Sequence, residues 1–203
     1  MRAVITERDI PHSGDLKVER GALITPSARD TARERGVRIL EVTVEELNSA
    51  APADTVAIGA DHGGFALKEQ VLKPLLAEIG LTATDVGVSD SSPADYPDIA
   101  LKVATLVHQG KAARGIIVDG AGIGSAMAAN KVPGVRAALC YDRASARNSR
   151  EHNNANVLTL GGRLLTPSQA EEVVRVWLST PFGGGRHQAR IDKITAIEKA
   201  YLK

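Results

Sequence analysis

The chain has 203 residues, with 25 Lys and Arg against 24 Asp and Glu, a formal net charge of +1, and 43% hydrophobic residues. That suits one ordinary domain plus an extension with enough apolar material for a core, which excludes disorder of the whole chain and any general attraction to nucleic acid or anionic membrane. One cysteine, Cys140, excludes an intramolecular disulfide and a cysteine-cluster metal site and suits a reducing cytoplasm; no run approaches the roughly 18 apolar residues of a bilayer span, and "MRAVITERDI" lacks the apolar region of a secretory signal.

Two regions separate along the chain. Residues 1–42 hold "GALITPSARDTARERGVRILEV" and read as an N-terminal extension. Residues 43–54, within "TVEELNSAAPADT", read as a linker. From residue 55 onward apolar runs alternate with helical patterns. "TVAIGA" (55–60) is a short buried strand. Leu67, Val71, Leu75 and Ile79 then mark one helix face, with Pro74 inside it as a kink or break. "LTATDVG" (81–87) is a second strand and "SDSSPADYP" (89–97) a loop dense in turn formers. Ile99, Val103, Leu106 and Val107 form a second helical face. "RGIIVD" (114–119), "VRAALC" (135–140) and "ANVLTLGG" (155–162) are the third to fifth strands. Thr166 before Pro167 is a helix start, N-cap then Pro at the first helical position. A final helix places Ile191, Ile194, Ile197 and Tyr201 on one face.

This alternation predicts an α/β fold, a Rossmann-like three-layer sandwich with a five-stranded parallel sheet. Ligands of such sheets bind at the carboxyl ends of the strands. Asp61 and His62 follow the first strand, Asp119 the third and Arg163 the fifth; His152, just before the fifth, is placed with them.

Each polar cluster has a functional and a plain structural reading. In "GADHGG" (59–64), Asp61 could orient a hydroxyl and His62 assist with a phosphate or proton, or Asp61 merely caps the helix. In "DGAGIGS" (119–125), Gly120, Gly122 and Gly124 could form a backbone nest for an oxyanion with Asp119 as a base beside it, or the segment is a tight turn in which Asp119 bonds local N–H groups. Neither segment has the dinucleotide G-x-G-x-x-G spacing, and there is no P-loop lysine. In "SREHNNANVL" (149–158), His152 can move a proton near neutral pH, or is simply structural or exposed. In "GGGRHQARIDKI" (183–194), Arg186 and Arg190 share a helix face if the helix starts at or just before Arg186, which suits a phosphate monoester, or they form a solvated basic face. No histidine spacing supports a metal site, and no cofactor is expected. Cys140 and Trp177 read as core residues.

Taken together, "GADHGGFALK", "DYPDIA", "AANKVPGVRAALC", "SREHNNANVL", "LGGR" and "GGRHQARIDKI" resemble the ribose-5-phosphate isomerase B family, which includes the galactose-6-phosphate isomerase subunits. The match runs from about Val56 to the end. The resemblance implies metal-free aldose–ketose interconversion of a sugar phosphate through a cis-enediol, on ribose 5-phosphate or a different tetrose-, pentose- or hexose-phosphate. It implies a homodimer or homotetramer with sites between subunits. By position, Asp61 and Asn153 would hold sugar hydroxyls or the enediolate, His62 would assist near the phosphate, and His152 would open the ring. Arg163, Arg186 and Arg190 would bind phosphate. The departure falls at the base. One branch of the family has Cys where this chain has Asp119, and another has Glu where it has Ser125; a Thr of the first branch is Ala121 here. Asp119 is taken as the base, beside Gly120, Gly122, Gly124 and Ser125; altered substrate or lost chemistry are the other readings. "GALITPSARDTARERGVRI" is similar to the start of several microcompartment-associated proteins, which implies association with shell or cargo proteins and a place in the cytoplasm inside a bacterial microcompartment. The other reading is an ordinary appended strand–turn–helix.

Overall fold

The computed structural model describes residues 4–11, 15–42 and 55–201. The expected linker, 43–54, lies outside the described residues. No helix of the described residues is long and apolar enough to cross a membrane. The chain divides into two compact units, Met1–Ala50 and Ala51–Lys203.

In the first unit, β1 (Val4–Ile5) pairs in parallel with β3 (Leu23–Ile24), and β2 (Asp15–Glu19) with β4 (Arg38–Val42). Between β3 and β4 lies α1 (Pro26–Glu34). Its start is fixed by Thr25, whose Oγ1 accepts the Ala28 N–H at 3.3 Å, and by Pro26, whose missing N–H costs nothing there. Ala28 and Ala32, one turn apart, pack with Ile10 and Val37 as a small core. Arg38 and Asp15 face each other across the β2–β4 pair in a two-pronged ion pair at 2.8 and 2.7 Å.

The second unit is a parallel five-stranded sheet, with β6 (Thr82–Asp85), β5 (Thr55–Ala60), β7 (Arg114–Asp119), β9 (Val157–Gly161) and β8 (Ala137–Leu139) in spatial order. Side chains alternate across each strand. Val56, Ile58, Ile116, Val118, Leu158 and Leu160 turn to one core, with α2 (65–78), α5 (Arg143–Glu151) and α6 (Pro167–Ser179). Ala57, Ile117 and Val157 turn to the other, with α3 (Tyr96–His108) and α4 (Ile123–Ala129). Trp177, from α6, is fully buried in the first core, as is Cys140.

Pro74 neither breaks nor ends α2. The helix widens one turn earlier, into a π turn over Lys68–Leu72 in which the Lys73 N–H reaches the Lys68 carbonyl. Proline has no N–H to give the carbonyl four residues before it, so the ladder shifts register ahead of it. The final helix is α7 (Gln188–Tyr201). Ile191 is buried, but Ile194, Ile197 and Tyr201 are exposed, the tyrosine 84% so.

Candidate active site

The chain order of the strands reverses between β5 and β7, and three loops meet at the carboxyl edge there. The loop after β5 holds Asp61 and His62, the loop after β7 holds Asp119 to Gly122, and the loop after β9 holds Gly162 and Arg163. The Asp61 N–H donates to the Val118 carbonyl at 3.2 Å, the Gly162 N–H to the Asp119 carbonyl at 2.7 Å, and the Arg163 N–H to the Gly120 carbonyl at 3.1 Å. A Cβ on Gly63 would lie 3.0 Å from the Gly120 nitrogen, and one on Gly162 2.7 Å from the Gly63 carbonyl oxygen. Glycines at 63 and 162 thus let three backbones touch. The Arg163 side chain lies over Gly120, its Cδ 3.7 Å from where a Cβ would stand.

Both carboxylates at this edge turn inward. Asp61 is 5% exposed, and its Oδ1 accepts the Gly63 and Gly64 N–H groups at 2.8 and 3.0 Å. Its plain reading, a cap at the start of the loop and helix, describes this geometry. Asp119 is 4% exposed; its Oδ1 accepts from Ala121 at 2.8 Å and from Gly122, and its Oδ2 accepts from Ser125 at 2.9 Å. The expected open nest with a free base beside it is therefore corrected: Asp119 itself fills the nest. The cause is local. Gly122 takes φ +79° and turns the chain so that the N–H groups of 121, 122 and 125 converge on the side chain ending β7. Ser125 is corrected too, since it is fully buried and meets Asp119 through its N–H.

His62 is exposed, and its Nδ1 accepts the Ala94 N–H at 3.3 Å. In the neutral ring the proton then sits on Nε2, which is left as a donor. This contact also ties the 89–95 loop to the site. Tyr96, at the head of α3, packs its ring against Gly124, where a Cβ would come 2.5 Å from the ring carbon Cζ. Sequence reasoning missed Tyr96, although it stands in the quoted "DYPDIA".

His152 is not at this edge. α5 runs back from β8 against the strand direction, and β9 begins only after it, so His152 at its C-terminus stands at the amino edge of the sheet. Asp119 pairs with Gly161 at one end of β9, whereas Val157 begins it at the other, about 13 Å away at about 3.3 Å per residue. The sequence reading grouped residues by nearness to strands and so missed the direction of each.

At the amino edge His152 is joined by Asn153, Arg186, His187 and Arg190. The Gly183 N–H donates to the Glu151 carbonyl at 2.8 Å and brings the glycine-rich segment against the end of α5. His187 then stacks on His152, with centroids 4.2 Å apart and planes 8° from parallel. The His187 imidazole is held below its ordinary pKa, by burial first and then by repulsion from His152, Arg186 and Arg190. Arg186 lies in a 3₁₀ turn (Gly185–His187), and α7 starts only at Gln188, so the expected single helix face is replaced by a turn and a helix start. Arg143, Ala144, Arg147, Asn148, Glu151 and His152 line a cleft of about 430 Å³ beside this cluster.

Fold and site together define a parallel α/β protein with convergent loop backbones at one sheet edge and a histidine–arginine cluster at the other. Comparison with known proteins agrees: residues 56–194 match the model of the ribose/galactose isomerase family, and the chain belongs to that family. It is 42% identical to ribose-5-phosphate isomerase B of Escherichia coli (strain K12), over 71% of this chain and 96% of that one. It is 40% identical to D-erythrulose-4-phosphate isomerase of Pectobacterium atrosepticum, over 71% and 95%. Among solved structures it is similar to ribose-5-phosphate isomerase B of Clostridium thermocellum, with a TM-score of 0.71 and 46% identity, covering 72% of this chain and 99% of that one.

Proposed function

We propose that the chain is an aldose–ketose isomerase interconverting ribose 5-phosphate and ribulose 5-phosphate, or a close sugar phosphate such as a tetrose phosphate. The single observation that carries this reading is the pairing of a family match over residues 56–194 with the clustering of His152, His187, Arg186 and Arg190. Arg163, Arg186 and Arg190 hold the phosphate, with guanidinium forks suited to its oxygens. His152 handles the proton that passes from the C1 hydroxyl to the ring oxygen as the ring opens. Asp119 takes the C2 proton and returns it to C1, while a hydroxyl proton moves from O2 to O1; Asp61, His62, Gly120, Gly122, Gly124 and Asn153 surround the sugar. Asp119 Oδ2 accepts one N–H among the described residues, and a carboxylate oxygen can take two partners.

The two halves of this site lie at opposite edges of one sheet, so a complete site needs a second copy. We read the chain as a homodimer, or a pair of dimers, in which each site joins the carboxyl edge of one protomer to the amino edge of its partner. The exposed Ile194, Ile197 and Tyr201 supply apolar surface for that contact. The first unit, with its own core outside the matched residues, is read as an assembly segment for shell or cargo proteins, in a cytoplasmic or microcompartment setting.

A second reading, sugar-phosphate binding without turnover, is favoured by one observation: Asp119 is turned into its own loop. A panel of aldose phosphates, assayed with the native chain and Asp119→Asn, separates the two. The isomerase reading expects turnover of a pentose or tetrose phosphate, falling by about 10²-fold or more in Asp119→Asn. Binding of the panel with no turnover of any member establishes the second reading, and undiminished turnover in Asp119→Asn removes Asp119 from the mechanism.

A further inference from the structure

Asn148 and His152 are four residues apart near the end of α5, so their side chains share a face. Asn148 Nδ2 lies 2.9 Å from His152 Nδ1. Asn153 Nδ2 donates in turn to the Asn148 carbonyl and to its Oδ1, both at 3.4 Å. The face of the imidazole is covered by His187. The other ring nitrogen, Nε2, is 3.8 Å from Glu151 Oε1, outside hydrogen-bond reach. One nitrogen of His152 is thus taken by Asn148, and the other is left for a ligand.

We propose that Asn148 is the positioning residue for His152. Its amide N–H holds Nδ1 as an acceptor in the neutral ring and leaves Nε2–H as the group that meets the sugar ring oxygen. Which imidazole nitrogen carries the proton is set by the hydrogen bond the other makes. An amide suits a residue that must handle protons in both directions. A solvent proton enters at Nδ1, and Asn148 turns over so that its Oδ1 accepts from Nδ1–H; the imidazolium then gives its Nε2 proton to the ring oxygen, and Nε2 takes the C1 hydroxyl proton in return. An aliphatic side chain would serve neither state. A carboxylate would serve only the protonated one, in a setting that already holds Glu151, Arg143, Arg147, Arg186, His187 and Arg190. Asn148 also links His152 to Asn153, since Asn153 rests on it. The role rests on the reading of His152 as the ring-opening residue.

The test uses the ¹⁵N-labelled full-length chain. Long-range ¹H–¹⁵N spectra report the tautomer of each imidazole, and His152→Gln assigns the His152 signals. The proposal expects the Nε2–H tautomer at His152 in the native chain and a mixture of tautomers in Asn148→Ala. It also expects kcat on ribose 5-phosphate to fall about tenfold in Asn148→Ala with KM nearly unchanged, and to recover in part in Asn148→Gln. Asn148 is exposed, so these substitutions leave the core intact. An Nδ1–H tautomer in the native chain, or a tautomer unchanged in Asn148→Ala, overturns the proposal. A tautomer shift in a chain that turns over no sugar phosphate upholds the positioning by Asn148 and removes the ring-opening role of His152.

Discussion

Asp119 and Gly122 show how one loop can be read two ways. The sequence places a carboxylate at a strand end before glycines, and both a base with an oxyanion nest and a self-capped turn fit that pattern. The difference lies in a side-chain rotamer and one positive φ, neither of which a residue string displays. Asp119→Asn puts an amide with two hydrogens among three backbone donors. It should lower stability by about 1–3 kcal/mol, read as a shift of the urea midpoint with unchanged slope. Equal midpoints would mean that the three N–H bonds contribute little. Gly122 is more constrained still. A Cβ there would come 2.5 Å from Leu139 Cδ1 and 2.8 Å from the Leu160 carbonyl carbon, at φ +79°. Gly122→Ala should therefore cost about 1–3 kcal/mol or more, seen in thermal melts. Asp61 follows the same logic as Asp119: its type and position were legible, but its inward turn toward Gly63 and Gly64 was not.

At the scale of elements, strands and caps were the most legible. "TVAIGA" and "RGIIVD" coincide with β5 and β7 because short apolar runs between turn formers leave few alternatives. Thr166 and Pro167 start α6 as read, with Thr166 Oγ1 accepting the Gln169 N–H at 3.3 Å. The π turn before Pro74 was not legible, because its register depends on where the helix is anchored. The anchor is Lys68, 1% exposed, whose Nζ donates to Asp85 Oδ2 at 2.7 Å and to the Val88 carbonyl at 2.9 Å. Lys73, across the π turn, reaches the same carboxylate at 3.2 Å. These bonds fix the entry to the 89–95 loop, which places the Ala94 N–H on His62. Burial alone would raise the Asp85 pKa, but the Lys68 hydrogen bond, the Gly87 N–H, the Lys68 charge and the Lys73 hydrogen bond outweigh it and hold it below its ordinary value. A depressed carboxylate contributes stability that is present above its unfolded pKa, about 3.9, and lost as pH falls through the folded value. The stability gap between the native chain and Asp85→Asn should thus be open at neutral pH and close below about pH 4. A gap independent of pH would place the effect outside this ion pair.

At the scale of the molecule, strand direction decides the account. Residues that seem to gather along the sequence fall on two edges, because α5 returns against the sheet before β9 begins. The family and the parallel fold were legible from ordered motifs, whereas this split was not, since motif order carries no direction in space. Ile194, Ile197 and Tyr201 were legible as one helix face with Ile191, but periodicity reports an apolar face without saying what covers it, and these three are exposed. In the proposed dimer both features meet in one site shared by two protomers. The most direct test mixes two impaired variants, Arg163→Ala at the carboxyl edge and Arg186→Ala at the amino edge, by co-refolding equal amounts. If each site takes one edge from each protomer, mixed dimers hold one site with both lesions and one intact site. Activity on ribose 5-phosphate should then recover to about a quarter of the native level, although neither variant alone approaches it. Mixed dimers that form, verified by differential tagging, yet show no recovery would contradict the shared site.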